Sequence, residues 1–344
     1  MRKNKNNLSK LPLTISAQYG LVDQITFFNK VVASTDMSNY YLLKKGEFAY
    51  NKSYSSDYPW GAIKRLDNYE QGALSSLYIC FAPKDNVETD FILQYFESPK
   101  WHKGVSEIAV EGARNHGLLN ISVQDFFHTH HYMPKDKKEQ AKIAKLLMFL
   151  DERIATQNKI IERYESLIRG IAQKIARNNK PNVLLAECLK CSSSTLQESD
   201  VCESGTYPVY GANGIIGYLD GYSTEDEAVH IIKDGSGVGT VYYVTGKCSA
   251  TGTLNTLQAK DGYLLQYLYY MLKVFNFEPY KTGMAIPHIY FKDYGKAKIF
   301  CPSYTEQLKY VGVLSAIDNK LSAEQSILTN LSLQKQYLLR QMFI

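Results

Sequence analysis

Apolar residues recur in steps of four and three along two long stretches of the chain. From Ile143 the positions 147, 150, 154, 157, 161, 164, 168, 171 and 175 keep this spacing, and all but Gln157 are apolar or aromatic. Such alternation puts every seam residue on one stripe of a helix, as in a coiled coil. Tyr310, Leu314, Ile317, Leu321, Leu328, Leu331, Leu338 and Met342 hold the same phase, interrupted by Glu324 and Lys335. The two stretches are copies. A constant offset of 167 aligns Leu147 with Leu314, Leu150 with Ile317, Asp151 with Asp318, Ile154 with Leu321 and Ile161 with Leu328. Each opens on a proline (Pro134, Pro302) followed by Glu139–Gln140 or Glu306–Gln307. Long helices are predicted over 139–177 and 306–342, the second capped by Thr305. Residues 141–175 would span about 52 Å at ~1.5 Å per residue. Gly170 inside the first helix costs roughly 1 kcal/mol relative to Ala. Two matching seams separated by a globular stretch predict an antiparallel pair with one domain at each end. Ile168 belongs to this seam with the other residues named.

The repeat divides the chain into 1–133, a helical spacer at 134–181, 182–301, and a second spacer at 302–344. The two domains lack helical periodicity over most of their length. Short β-rich runs stand between Gly, Asn, Asp and Ser clusters: Ser76–Ala82, Ala228–Lys233 and Gly239–Val244. Each domain holds one predicted helix, near Phe91–Trp101 and near Tyr263–Phe275. The fold class expected is α+β: two mixed globular domains and a helical pair, with a pseudo-two-fold repeat.

Charge sharpens this division. Residues 1–134 carry +1, residues 135–180 carry +6 and residues 181–344 carry −2, within a net +5. The basic excess sits on the first spacer helix, where a solvated helix face is the plain explanation. Tyrosine is over-used, at 27 residues against 14 Phe and 2 Trp. A flat ring with a hydroxyl suits a recognition surface, and equally a sheet edge. The first 20 residues hold no signal-type apolar core, and no stretch nears the ~18 apolar residues of a membrane span. A soluble, cytoplasmic protein with no membrane partner is expected. Of six cysteines only Cys188 and Cys191 form a C-x-x-C pair, without a second pair or histidine partners, so free thiols are expected rather than zinc.

The repeated Pro–Glu-Gln opening, the Leu150-Asp151 and Ile317-Asp318 pairs and the long helices resemble the conserved regions of type I restriction–modification specificity subunits. The first domain adds Tyr41–Asn51 (YLLKKGEFAYN) and Glu111-Gly-Ala-Arg114 leading to Leu118–Ser122. The second adds Tyr207–Ala212, Gly217–Gly221, Lys233-Asp-Gly-Ser236 and Gly283–Pro287. These look like two target recognition domains of different types. The resemblance spans nearly the whole chain, and its strength lies in the order of the motifs. It implies a DNA-binding subunit that does no chemistry. Each domain would read one half of a split, asymmetric double-stranded DNA site, and the helix pair would fix the spacer. Partners implied are two methyltransferase subunits and, through them, restriction–translocase subunits. No cofactor is implied on this chain; S-adenosylmethionine, ATP and Mg are implied on the partners. In one respect the chain departs from the family. Asn182–Lys190 opens the second domain, whereas the first has no counterpart, which implies a start at an internal methionine or a shortened N-terminus.

Other motifs carry less. Gly235-Ser-Gly-Val-Gly239 lacks the Lys-Ser/Thr of a phosphate loop and precedes a strand, so a hairpin turn is expected. His128-Thr-His-His131 has no carboxylate or cysteine at ligand spacing, so no metal is expected. No catalytic run of methyltransferase, helicase or nuclease type is present. DNA contact needs cations at phosphates and amides or hydroxyls at base edges. The candidates are Lys44, Asn51, Lys52, Arg65 and Arg114 in the first domain. In the second they are Lys233, Ser236, Thr253, Asn255, Lys281 and His288. Two other readings stay open: a coiled-coil scaffold without a DNA role, and a DNA-modifying enzyme with an unrecognised motif.

Overall fold

The computed structural model describes residues 2–109 and 117–343. The chain divides into two compact units, Met1–Gln157 with Ile327–Ile344, and Asn158–Ser326.

In the first unit, β1 (Pro12–Ser16), β2 (Gly20–Asp23), α1 (Gln24–Phe28), β3 (Tyr41–Lys44), β4 (Phe48–Asn51), β5 (Ala62–Arg65), β6 (Gln71–Leu74) and β7 (Ile79–Phe81) precede α2 (Thr89–Glu97), α3 (His102–Ile108) and α4 (Val123–Phe127). The strands form two sheets, ordered β2-β1-β6-β3 and β5-β4-β7. Leu13, Leu43, Leu66 and Leu74 fill the core at the first sheet. Phe48, Tyr50, Phe91, Tyr95, Phe96 and Trp101 fill the second core, beneath α2. The helix α5 (Lys137–Asn178) then begins.

In the second unit, β8 (Val183–Leu184), α6 (Leu185–Cys188), β9 (Leu189–Ser193), β10 (Tyr207–Gly211), β11 (Gly214–Leu219), β12 (Glu227–Ile232), β13 (Val241–Thr245), β14 (Ser249–Ala250) and β15 (Leu254–Ala259) lead to α7 (Leu265–Lys273), α8 (Phe291–Tyr294), β16 (Lys298–Ile299) and α9 (Tyr304–Gln341). The sheets are ordered β11-β10-β14, β13-β12-β15-β9 and β16-β8. The predicted α+β class and the two long helices are therefore present. Predicted runs Ser76–Ala82, Ala228–Lys233 and Gly239–Val244 supply β7, β12 and β13, and the two domain helices are α2 and α7.

Within the first unit the long helices run antiparallel. Ala144 and Leu147, near the start of α5, share a core with Leu339 and Phe343 at the end of α9. Farther along α5, Asp151 pairs with Lys335. Seam residues Leu147, Leu150, Ile161, Ile168, Leu314, Leu321 and Leu331 are buried, as is Gln157. Ile154, Ile317, Leu328 and Leu338 are half-buried. At the end of α9 the burial passes from Leu338 to Leu339, because this turn also meets α2: the Phe343 ring lies 5.4 Å from Phe91 and 5.5 Å from Tyr95. The cap of α9 is Ser303, not Thr305. Its hydroxyl donates to Glu306 Oε2 at 2.8 Å, and Glu306 returns to the Ser303 amide at 3.3 Å. Serine wins because it stands before the first helical residue, where its side chain reaches the third.

The repeated Gln and Asp have matching structural tasks. Gln140 is 1% exposed. Its Oε1 accepts from the amide of Glu88, the residue capping α2, at 2.7 Å, and its Nε2 donates to the Pro134 carbonyl at 2.7 Å. Gln307, also 1% exposed, accepts from the amide of Leu264, the cap of α7, at 2.9 Å and donates to the Pro302 carbonyl at 3.0 Å. Asp151 accepts from Gln94 Nε2 at 2.8 Å, and Asp318 accepts from the Tyr270 hydroxyl at 3.3 Å. In both units the clamp touches the domain helix at its cap and six residues later. It satisfies a first-turn amide that the helix itself leaves orphaned.

Candidate nucleic-acid interface

In the second unit, candidates converge where β12 ends and β15 begins. Lys233 follows β12; its amide donates to the Thr253 carbonyl at 3.0 Å, and its carbonyl accepts from the Ile289 amide at 2.9 Å. Asp234 bridges to His288, and His288 to Thr282. The hairpin Gly235–Gly239 is tied to this loop through Gly235 N–H and the Pro287 carbonyl at 2.9 Å. It turns β12 into antiparallel β13, as the sequence predicted. Gly283 holds φ +90°, and a Cβ there would run into the Ile286 carbonyl, so the 282–288 loop needs glycine. The outcome is a cluster of Lys233, Ser236, Lys281 and His288 beside a protruding loop whose Met284 and Ile286 are fully or largely exposed. Thr253 is half-buried and shares a hydrogen bond with Thr251 at 2.8 Å. Lys281 pairs with Glu278 at 2.5 Å, and Lys233 stands 3.9 Å from Asp234. Asn255 does not reach this surface. It is 3% exposed, donates to the Tyr294 hydroxyl at 3.1 Å and accepts from Ser193.

The first unit has a matching corner at the end of β4. The Leu119 amide donates to the Lys52 carbonyl at 2.9 Å, as Ile289 does to Lys233. Lys52 Nζ donates to the Ile121 carbonyl at 3.3 Å, and Asn51 Oδ1 accepts from the Ser53 amide at 3.0 Å. Tyr54 and Leu118 are exposed beside them. Lys44 and Arg65 are not part of this corner. Lys44 ends β3, and Arg65 pairs across from Phe48 at the opposite end of β4. Arg65 is held by Asp67 and Asp90, both at 2.7 Å. Arg114 lies outside the described residues.

Several cations went unnoticed in the sequence. Lys292 lies 5.2 Å over the Tyr290 ring, next to the 281–289 loop. In the first unit Lys100, Lys103, His128, His130 and Tyr132 line a 610 Å³ cavity. The spacing of Lys100 and Lys103 on successive helical turns was the available signal. His131 takes no part; it sits between the Tyr95 hydroxyl (3.0 Å) and Thr129 (2.9 Å), and burial lowers its pKa. No group of three metal-ligating side chains occurs among the described residues. Burial pushes the Cys188 thiol up to about 12 and Cys191 up to about 11, so both stay protonated. Among the described residues no helix is long and apolar enough to cross a membrane.

The family model for the type I restriction modification DNA specificity domain matches residues 185–332. Residues 185–332 of this chain are thus similar to the type I restriction modification DNA specificity domain. The family resemblance drawn from the repeat therefore holds. Over 116 residues the chain is 28% identical to the type I restriction enzyme EcoprrI specificity subunit of Escherichia coli, covering 34% of this chain and 29% of that protein. Over 123 residues it is 30% identical to the putative type I restriction enzyme specificity subunit S.HindORF215P of Haemophilus influenzae, covering 35% and 32%. The matches thus span about a third of these two relatives. The crystal structure of a type I restriction–modification S subunit from M. genitalium shares the fold, with TM-score 0.59 and 19% identity over 91% of this chain and 87% of that one. The specificity domain so delimited takes in β9, the whole 233–289 corner, the clamp residues Gln307 and Asp318, and most of α9.

Proposed function

We propose that this chain is the DNA-specificity subunit of a type I restriction–modification complex, without catalysis of its own, reading double-stranded DNA through the Lys233–Ser236–Lys281–His288 corner and the Lys52–Tyr54 corner. The supporting observation is that the specificity-domain match encloses the second-unit corner, and that the same backbone pairing, Ile289 to Lys233 and Leu119 to Lys52, builds its counterpart in the first unit. Cations with polar side chains on protruding loops suit phosphate positioning and base-edge contact. Two unlike corners on one chain fit an asymmetric, bipartite target. The helix surfaces outside the seam offer docking positions for methyltransferase subunits, which would bring S-adenosylmethionine; restriction subunits would bring ATP and Mg.

Methylome sequencing of a host expressing this gene with its methyltransferase tests the reading. A methylated split motif that disappears on deleting this gene is expected. A continuous motif, or one that survives deletion, overturns it. The scaffold alternative predicts no change in DNA retention when purified complex lacks this chain.

A further inference from the structure

The loop at residues 282–288 stands at the second-unit corner and is braced at its base. Thr282 and His288 exchange both backbone hydrogen bonds: Thr282 N–H donates to the His288 carbonyl at 2.9 Å, and His288 N–H to the Thr282 carbonyl at 2.8 Å. The Thr282 hydroxyl adds a third link to the His288 carbonyl at 3.3 Å. The Pro287 carbonyl accepts from Gly235 N–H at 2.9 Å, and His288 Nδ1 lies 3.0 Å from the Ile286 carbonyl. Gly283 takes φ +90°, where a Cβ would stand 2.3 Å from that same carbonyl. Residues 283–287 therefore form a closed turn whose crossing point calls for glycine.

The tip of this turn is apolar. Met284 is 105% exposed and Ile286 65%, with Ala285 between them. A single apolar side chain on a surface needs no explanation. Two at the summit of a braced turn differ, because the closure keeps both from folding back onto the unit.

The flanking charges narrow what this tip can contact. Lys281 and Lys292 flank the loop in sequence, and Lys233 flanks it across the Ile289 backbone bond. Each has an acid close by. Asp234 lies 3.9 Å from Lys233, Glu278 pairs with Lys281 at 2.5 Å, and Asp293 follows Lys292 in the chain. Cations so matched orient a polyanion without holding it by charge alone, which leaves the apolar tip to add affinity. A stable protein interface needs about 800 Å² from each partner. Two side chains fall far short of that, even with Tyr290, the next exposed large apolar residue. A base-pair step needs only one or two. Met and Ile are among the apolar side chains that wedge between stacked bases and kink a duplex.

We propose that Met284 and Ile286 form a wedge that enters the DNA and unstacks one base-pair step of the half-site read by the second unit. The proposal rests on the DNA-specificity reading above and adds a form of discrimination that the polar side chains do not give. The step that opens is chosen by its deformability, pyrimidine–purine steps being the softest. The wedge thus reads a position at which no base accepts or donates a hydrogen bond.

The experiment uses the complex of this chain with its methyltransferase and a duplex carrying the methylated motif. 2-Aminopurine, whose fluorescence is quenched by stacking, replaces one base at a time across the motif. On binding, the signal should rise about threefold or more at one step. Met284→Ala combined with Ile286→Ala should abolish the rise. Both side chains are exposed, so the thermal midpoint should not move. A nick at the responsive step keeps every base and lowers the cost of opening it. The unsubstituted protein should prefer that nicked duplex to the intact one by about fivefold, and the double variant should not discriminate between them. Lys281→Ala should weaken binding yet leave the rise per bound duplex unchanged. Bound duplex with no rise at any step overturns the proposal, as does a rise that survives in the double variant. So does a double variant that loses the methyltransferase, which would make the tip a protein contact. An unsubstituted complex that binds no duplex at all refutes the specificity reading itself, and the wedge with it.

Discussion

The clamp at each helix start makes a prediction that separates the two units. Gln140→Ala removes two hydrogen bonds from a residue 1% exposed and strands the Glu88 amide and the Pro134 carbonyl. Each buried group left unpaired costs about 1–3 kcal/mol, and the two together with a small cavity put the loss at about 2–5 kcal/mol. Gln307→Ala does the same to Leu264 and Pro302 in the second unit. For units of this size about 1 kcal/mol moves the midpoint by roughly 2–4 °C, so each unit should melt about 5–15 °C earlier when its own glutamine is cut. Hydrogen exchange read by fragment locates the effect. Gln140→Ala should loosen Thr89–Glu97 and leave Leu265–Lys273 untouched, and Gln307→Ala should do the reverse. Equal loosening of both helices by either variant, or a loss below about 0.5 kcal/mol, would refute the claim that the glutamines hold the domain helices locally.

Three further outcomes are expected. Lys335→Met should cost under about 1 kcal/mol, because Asp151 is 40% exposed and keeps Gln94 as a donor; a loss of several kcal/mol in a denaturant titration would show that the pair is effectively buried. His230 is 1% exposed, and burial lowers its pKa from 6.5 to about 4. The unfolded chain therefore binds the extra proton first, and stability present above about pH 6.5 falls as pH drops toward 4, by up to about 3 kcal/mol; His230→Phe should flatten that slope in acid denaturation, and an unchanged slope would contradict it. Lys281→Ala and Lys233→Ala should each weaken DNA retention by the complex for all sequences and lower the salt slope by about 1, whereas Lys44→Ala should leave both unchanged.

How much was legible depends on the range of the signal. The long helices were, because a four–three seam repeats within each turn and two copies confirm each other. The cap of α9 was misplaced by two residues, since Thr and Ser at 303–305 look alike until the first helical residue is known. The sheets were not legible, because strands of two to six residues pair across long separations: β1 with β6, or β9 with β15. Those pairings decided the fate of the candidates. Asn255 is the second residue of β15, paired with Ile231 of β12 on one side and Ser193 of β9 on the other and 3% exposed, so its amide donates to the Tyr294 hydroxyl inside the unit. Arg65 met Asp90, which stands 25 positions later and comes close only because α2 packs on β5. Lys44 and Lys52 are near in sequence, yet the four residues of β4 carry them to opposite ends of a strand.

The clamp also accounts for two unlike domains on one repeated scaffold. At its first point the scaffold glutamine reads a main-chain amide, and the capping residue can be Glu88 in one unit and Leu264 in the other. At its second point the scaffold aspartate asks only for a donor, met by the amide of Gln94 or the hydroxyl of Tyr270. Between these points the scaffold needs an apolar face, supplied by Phe91 and Ile92 or by Tyr267 and Leu268. These requirements are generic to a nine-residue amphipathic helix with one polar side chain six positions past its cap. The corner residues Lys52 and Lys233 take no part in these clamp contacts. A change of recognition loop therefore need not disturb the helix pair. Moving the donor by one position, as with Gln94→Ala combined with Leu93→Gln, should uncouple the domain from Asp151, because one residue turns a helix by about 100° and carries the donor off that face.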